Sequence, residues 1–309
     1  MKIGNSDLDV YPLNLGGNVF GWTADEQRSF EVLDAYAAAG GNFVDTADSY
    51  THRAPGNSGG ESETIIGKWL AKRGRRDDIV IATKVGSWPE RPGVSAKNIR
   101  EAAEDSLRRL GTDHIDLYYA HRDVGDVPLE ETLGAFDELV RAGKVRYLGA
   151  SNYSAGRLVE ALSISDREGF ARYVALQPHY NLVERAYEQD LLPLVRREGL
   201  STLPYFALAK GFLTGKYRSR ETHTGSPRNE GAVAYLDHRG ERVLEALVDI
   251  SAAHRTTPAA VSLAWLAAQP TVAAPIASAR TVEQLADLIA SVELRLSETD
   301  LATLTEASA

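Results

Sequence analysis

Four side chains able to move a proton to or from a carbonyl oxygen stand at or just past the ends of short apolar runs. They are Asp45 and Tyr50 in NFVDTADSY, Lys84 in DIVIATKV and His121 in IDLYYAH. A free phenol titrates near ~10, too high for easy proton exchange at neutral pH. A nearby ammonium stabilises the phenolate and lowers that value, so the sequence predicts Lys84 beside Tyr50. Asp45 is expected to pair with Lys84 and hold it in place. His121 can donate a hydrogen bond to a carbonyl oxygen and orient it. A single Tyr, Lys or His in a loop is usually a surface or packing residue. Four of them at successive strand ends weigh more, because the reactive face of an α/β barrel is built from the ends of its strands.

The elements that must position them alternate along the chain. Apolar runs at 11–17, 42–46, 78–85, 114–121, 145–151, 173–179, 200–206 and 271–277 read as eight strands. Most are continuous rather than alternating, as buried parallel strands are. Helical stretches fill the gaps at 25–39, 61–72, 96–110, 128–142, 154–168, 187–198, 258–268 and 281–291, with extra helices at 238–254 and near 297–307. In the first of them, Phe30, Leu33, Ala37 and Ala38 share the expected core face. Ser95 suits an N-cap and Gly111 a C-terminal stop, while Pro128 and Gly143 mark the entry and exit of another helix. With right-handed crossovers this pattern predicts an α/β fold, a single (β/α)8 TIM barrel over residues 1–309 with accessory helices and a long loop after strand seven. That loop, 207–236, is rich in Gly, Arg and Ser, and long connections inside a compact domain are usually functional.

Composition narrows the function. The chain has 309 residues, 43% of them hydrophobic, which allows a large core. A formal net charge of −9, and no basic run longer than RGRR at 73–76, argue against a nucleic-acid partner. Cysteine is absent, so there is no thiol nucleophile, disulfide or thiolate metal site. The seven histidines are scattered, and no metal is expected. The N-terminus lacks a basic segment followed by an apolar stretch, and no apolar run reaches about 18 residues. A cytoplasmic protein without a membrane partner is the expectation.

Taken together, DTADSY, ATKV and YYAH resemble the motifs of the aldo-keto reductase superfamily, and the resemblance runs over about residues 8–300. It implies that Asp45, Tyr50, Lys84 and His121 are that family's tetrad, with Tyr50 the general acid in carbonyl reduction and NAD(P)H the hydride source. GASN then implies Ser151 and Asn152, and LQPHYNL implies Gln177, as holders of the nicotinamide carboxamide. LPYFALAKGFLTGKY resembles the stretch that stacks an aromatic ring, here Tyr205, on the nicotinamide. The same stretch implies pyrophosphate contacts from the backbone of Leu208, Gly211 and Leu213 and from Lys216. Arg228, in GSPRNEG, stands where the family often has a phosphate-binding arginine. PIASARTVEQLADL implies Arg280 and Gln284 at the 2′-phosphate and adenine, making NADPH the expected cofactor, with NADH possible. Three positions depart from the pattern: Phe206 replaces a small polar residue, Leu288 a frequent Asn and Ala277 a common Gly.

GNVFGW resembles a bacterial subgroup of the superfamily. Phe20 and Trp22 after strand one, and Trp88 after strand three, are expected to line the mouth of an apolar substrate pocket. No G-x-G-x-x-G follows a strand. The implied activity is NADPH-dependent reduction of a small-molecule aldehyde or ketone. The alternative is an NADPH-binding regulatory subunit with little turnover, like those of potassium channels, which share this barrel. Nothing in the sequence sets the oligomeric state.

Overall fold

The structure, a computed structural model, describes residues 1–123, 125–219 and 228–309. Its strands are β1 (Asn14–Gly16), β2 (Phe43–Asp45), β3 (Val80–Val85), β4 (Ser87–Trp88), β5 (Arg91–Pro92), β6 (Ile115–Ala120), β7 (Val145–Ser151), β8 (Tyr173–Gln177), β9 (Ser201–Thr202) and β10 (Ile276–Ala277). Eight of them pair in parallel in the order β10-β1-β2-β3-β6-β7-β8-β9, while β4 and β5 form a separate antiparallel hairpin. Three hydrogen bonds join the two ends of the row: Thr202 N–H to Thr271 O at 2.8 Å, Ala273 N–H to Thr202 O at 3.0 Å, and Ile276 N–H to Pro204 O at 2.9 Å. The sheet thereby curls into the (β/α)8 barrel that the strand and helix alternation predicts.

The helices are α1 (Glu26–Ala38), α2 (Glu61–Arg73), α3 (Ala96–Leu110), α4 (Leu129–Arg141), α5 (Ala155–Glu168), α6 (Tyr187–Arg197), α7 (Asn229–Val233), α8 (His238–His254), α9 (Pro258–Ala267), α10 (Val282–Glu293) and α11 (Glu298–Ala307). Ser95 Oγ accepts from Asn98 N–H to start α3, and Gly111 ends it in the left-handed conformation. On α1 Leu33 is buried with Ser29, Val32 and Tyr36, Phe30 and Ala37 are partly buried against the core as expected, and Ala38 is exposed instead. The Tyr36 hydroxyl lies within hydrogen-bond distance of Leu13 O at 2.6 Å and Phe43 O at 3.0 Å and accepts from Phe43 N–H at 3.3 Å, tying the helix to the chain at both neighbouring strands.

Alternation along each strand decides which side chains see the barrel interior. In β3, Val80 and Ala82 pack in an interior cluster with Phe43, Leu117, Tyr119, Ala175 and Ile276, while Ile81 and Val85 pack in the outer layer against helices. Lys84 shares the parity of Val80 and Ala82. Asp45 follows Phe43 by two, His121 follows Tyr119 by two, and Gln177 follows Ala175 by two. All four are therefore turned inward at one end of the barrel. The other end is plugged: Ile3, Leu8 and Val10 belong to the same interior cluster. The Tyr119 ring fits only because β7 carries Gly149 beside it; a Cβ there would stand 2.4 Å from the ring.

Three strands are shorter than the sequence predicts by about four or five residues, 14–16, 201–202 and 276–277. Each of the longer predicted runs contains a proline, Pro12, Pro204 or Pro275, which has no N–H for the ladder. The hairpin of β4 and β5 has no counterpart among the strands read from the sequence; Pro89 and Glu90 make its turn. Within 207–236 the described chain forms a short 3₁₀ helix at Ala209–Thr214 and then α7. Among the described residues no helix is long and apolar enough to cross a membrane.

Candidate active site

At the open end the inward-facing side chains form one hydrogen-bonded unit. Lys84 Nζ donates to Asp45 Oδ2 at 2.6 Å, to the Tyr50 hydroxyl oxygen at 2.7 Å and to Thr46 O at 2.7 Å. The Tyr50 hydroxyl donates to Asp45 Oδ2 at 3.0 Å. Gln177 Nε2 donates to Asp45 Oδ1 at 2.9 Å, so both carboxylate oxygens are satisfied. Lys84 and Asp45 are fully buried, at 0% and 1% exposure. A buried ion pair of this kind holds only because its remaining donors and acceptors are also met. The His121 ring stands edge-on to Tyr50, 6.2 Å between centroids.

The electrostatics assign the resting protonation states. Burial, then the Asp45 carboxylate, pushes the Tyr50 phenol well above its ordinary value, with the Arg228 charge opposing. The Lys84 ammonium is pushed down by burial against the pull of Asp45. The expectation that Lys84 leaves Tyr50 with a lowered pKa is thereby corrected. Burial is the larger cause, and the Asp45 carboxylate, 3.0 Å from the phenol oxygen, opposes the ammonium at 2.7 Å. Tyr50 therefore rests protonated at neutral pH. Burial, then the Lys84 and Arg122 charges, push His121 well below the usual imidazole range, so it rests neutral.

A cavity of about 660 Å³ opens above this unit. Asp45, Tyr50, His121, Ser151, Asn152, Gln177 and Tyr205 line its inner part. Ser151, Asn152 and Tyr205 are tied together there: Asn152 Nδ2 donates to Ser151 Oγ and to His121 O, and the Tyr205 hydroxyl donates to Asn152 Oδ1 at 2.8 Å. The Tyr205 ring is stacked on His179, 5.2 Å between centroids and 14° between planes.

Leu208, Gly211, Lys216, Arg228, Arg280 and Gln284 line the same cavity. The main chain is left-handed at Phe206, Ala209, Lys210 and Gly211. Such a run costs energy in non-glycine residues, and it curls the backbone into a concave turn of the sort that presents N–H groups to an anion. The Arg228 guanidinium lies over the Trp22 ring at 5.8 Å, its charge acts on Tyr50, and burial and then the Arg280 charge lower its own pKa. Gln284 also shapes the chain locally, since its Oε1 accepts from Arg280 N–H at 3.0 Å and fixes the turn into α10.

Three expected residues are placed elsewhere. Leu213 is fully buried in the core and does not line the cavity. Phe20 is likewise a core residue at 0% exposure, packed with the outer-layer apolar side chains. Trp88 sits on the β4–β5 hairpin with the guanidinium groups of Arg91 and Arg109 over its ring at 5.5 and 5.6 Å. Of the three aromatics only Trp22 reaches the cavity, where it is 38% exposed. Sequence reasoning misses Arg122 and Lys210, both in the lining. Arg122 directly follows His121, and the residue after a barrel strand's inward-facing end is the one that falls on the rim.

A buried Asp–Lys pair grips a phenol at the rim of a (β/α)8 barrel. The chain belongs to the aldo/keto reductase family, whose model matches residues 12–309, and is an oxidoreductase by that membership. It is similar to protein tas of Escherichia coli, 36% identical over 330 residues that span 97% of this chain and 95% of the relative. It is also similar to an uncharacterized oxidoreductase, YrpG, of Bacillus subtilis, 38% identical over 95% of this chain and 91% of the relative. Norsolorinic acid reductase A of Aspergillus parasiticus is 30% identical over 98% of this chain and 79% of its own length.

Proposed function

We propose that this protein reduces an aldehyde or ketone to the alcohol, with NADPH as the cofactor and Tyr50 as the proton donor. The observation that carries the proposal is the Lys84–Tyr50–Asp45 unit at the floor of the cavity, with a phenol that rests protonated. Bound NADPH would supply a hydride to the carbonyl carbon. The residues present fit such a cofactor: amide and hydroxyl groups of Ser151, Asn152 and Gln177 at one end, a left-handed backbone turn, and cationic Lys210, Lys216, Arg228 and Arg280 along the lining. Tyr205 presents an aromatic face between these groups.

Tyr50 gives its proton to the carbonyl oxygen. Lys84, already donating to the phenol oxygen, stabilises the negative charge as the proton leaves. Asp45 keeps the ammonium in place through Oδ2, and Gln177 keeps Asp45 in place through Oδ1. Neutral His121 can donate a hydrogen bond to the same carbonyl oxygen and orient it. The direct test mixes the purified protein with reduced dinucleotide and a panel of aromatic and aliphatic aldehydes and ketones, and follows loss of dinucleotide absorbance. Carbonyl-dependent oxidation is expected, faster with NADPH than with NADH. A panel with no carbonyl-dependent turnover refutes the proposal and favours a nucleotide-binding role.

A further inference from the structure

Among the described residues the catalytic part of the cavity carries a positive charge that proton transfer does not use. Asp45 and Lys84 cancel each other, and Tyr50 and His121 rest neutral. Among the described residues the lining's one other acid, Asp287, is on α10 with Gln284, near Arg280 and away from the catalytic unit. Among the described residues one cation on this wall, Arg122, is left without an acid. Arg122 follows His121 on the rim, is exposed, and its charge acts on both His121 and Tyr205. Arg228 lies over Trp22 and acts on Tyr50. The carboxylate closest to Arg122 in sequence, Asp123, is already taken: Arg157 holds it with two bonds of 2.8 and 2.9 Å. Among the described residues Arg122 makes no ion pair. A guanidinium on a cavity wall, with its neighbouring carboxylate committed elsewhere, is a site for an anionic group on the ligand.

Resting on the proposed carbonyl reduction, we infer that Arg122 forms an anion-binding subsite beside the reacting carbonyl. The preferred substrates then carry a carboxylate or phosphate on the same small molecule as the aldehyde or ketone. Trp22 lines the same cavity and supplies a flat apolar wall, which suits a substrate with a planar apolar body. The positive field also raises the local concentration of such a substrate, an effect that salt weakens.

The test compares para-formylbenzoate, its neutral methyl ester and para-formylphenyl phosphate. All are measured on protein saturated with cofactor, so that the dinucleotide's own phosphates occupy their contacts. In the wild type, kcat/KM for at least one anionic aldehyde exceeds that of the ester about tenfold, and the ratio shrinks with added salt. Whichever anion gains more identifies the source of the negative group. Arg122→Glu is expected to remove that ratio through KM rather than kcat, and Arg122→Lys to restore part of it. The two anionic aldehydes and the ester are also titrated calorimetrically into the NADP⁺-saturated protein, which reads the subsite even without turnover. Absence of any turnover, with anion-selective binding that Arg122→Glu abolishes, rejects the reductase and keeps the subsite. Equal kinetics and equal binding for acid, phosphate and ester, or a ratio untouched by Arg122→Glu, overturn it.

Discussion

Replacing Lys84 by Met tests how the centre is held together. The side chain is fully buried and makes three bonds, to Asp45, Tyr50 and Thr46 O. Met fills much of the same volume but leaves Asp45, 1% exposed, as a buried carboxylate without a countercharge. The Gln177 and Tyr50 donors remain, so the carboxylate keeps two hydrogen bonds while losing the ion pair. Breaking one side of a buried pair costs about 3–5 kcal/mol, most of it the uncompensated charge. Removing both charges should cost much less. The double variant Asp45→Asn/Lys84→Met is therefore expected to lose only about 1–2 kcal/mol relative to wild type. The assay is urea unfolding at pH 7 for the wild type, both single variants and the double. The reasoning predicts that the double variant unfolds at a higher urea concentration than Lys84→Met alone. A double variant as unstable as the sum of the singles would show that Lys84 acts through packing, and the electrostatic account of the centre would fail.

Two further variants probe the surroundings. Burial, then Glu63, pushes the Asp48 carboxyl up to about 7 against the pull of Arg109 and Arg91, and neither of its side-chain oxygens has a hydrogen-bond partner. Between pH about 4 and about 7 the unfolded chain carries this group ionised and the folded chain carries it protonated, so stability falls as pH rises through that window. Asp48→Asn should gain up to about 4 kcal/mol over wild type at pH about 8 and almost nothing at pH about 4, at roughly 1.4 kcal/mol per unit; an equal gain at both pH values contradicts this. Arg280→Ala should weaken NADPH roughly tenfold more than NADH, because charge-assisted bonds to a 2′-phosphate are worth about 1.5–3 kcal/mol. Equal losses by fluorescence titration would remove Arg280 from 2′-phosphate recognition.

The parts of the molecule legible in the sequence are those governed by local periodicity. Apolar runs separated by capped helices define the barrel. The period of two along each strand is what carries Asp45, Lys84, His121 and Gln177 to one interior level. What stays hidden depends on contacts distant in sequence. Phe20 reads as a rim aromatic by its loop position, yet packing in the outer layer buries it. Trp88 reads likewise, but the two-residue strands of its hairpin place it under Arg91 and Arg109. The burial of Tyr36 on α1 depends on one hydroxyl placed between the chain at Leu13 and at Phe43. The resting state of Tyr50 needs the distance to Asp45 as well as that to Lys84. Arg122 escapes sequence reasoning because an arginine beside a strand end has no local signature; only the cavity wall reveals it.

Tyr50→Phe tests the central claim most directly. The substitution keeps the ring beside His121 and deletes the hydroxyl that bridges Lys84 and Asp45. Carbonyl reduction and dinucleotide affinity would be measured on the same preparation, by absorbance and by fluorescence titration. The account predicts a fall in kcat of at least about a hundredfold, in line with the loss of a positioned general acid, with dinucleotide affinity within about threefold of wild type, a change worth less than a kcal/mol. Near-normal turnover in Tyr50→Phe would contradict it.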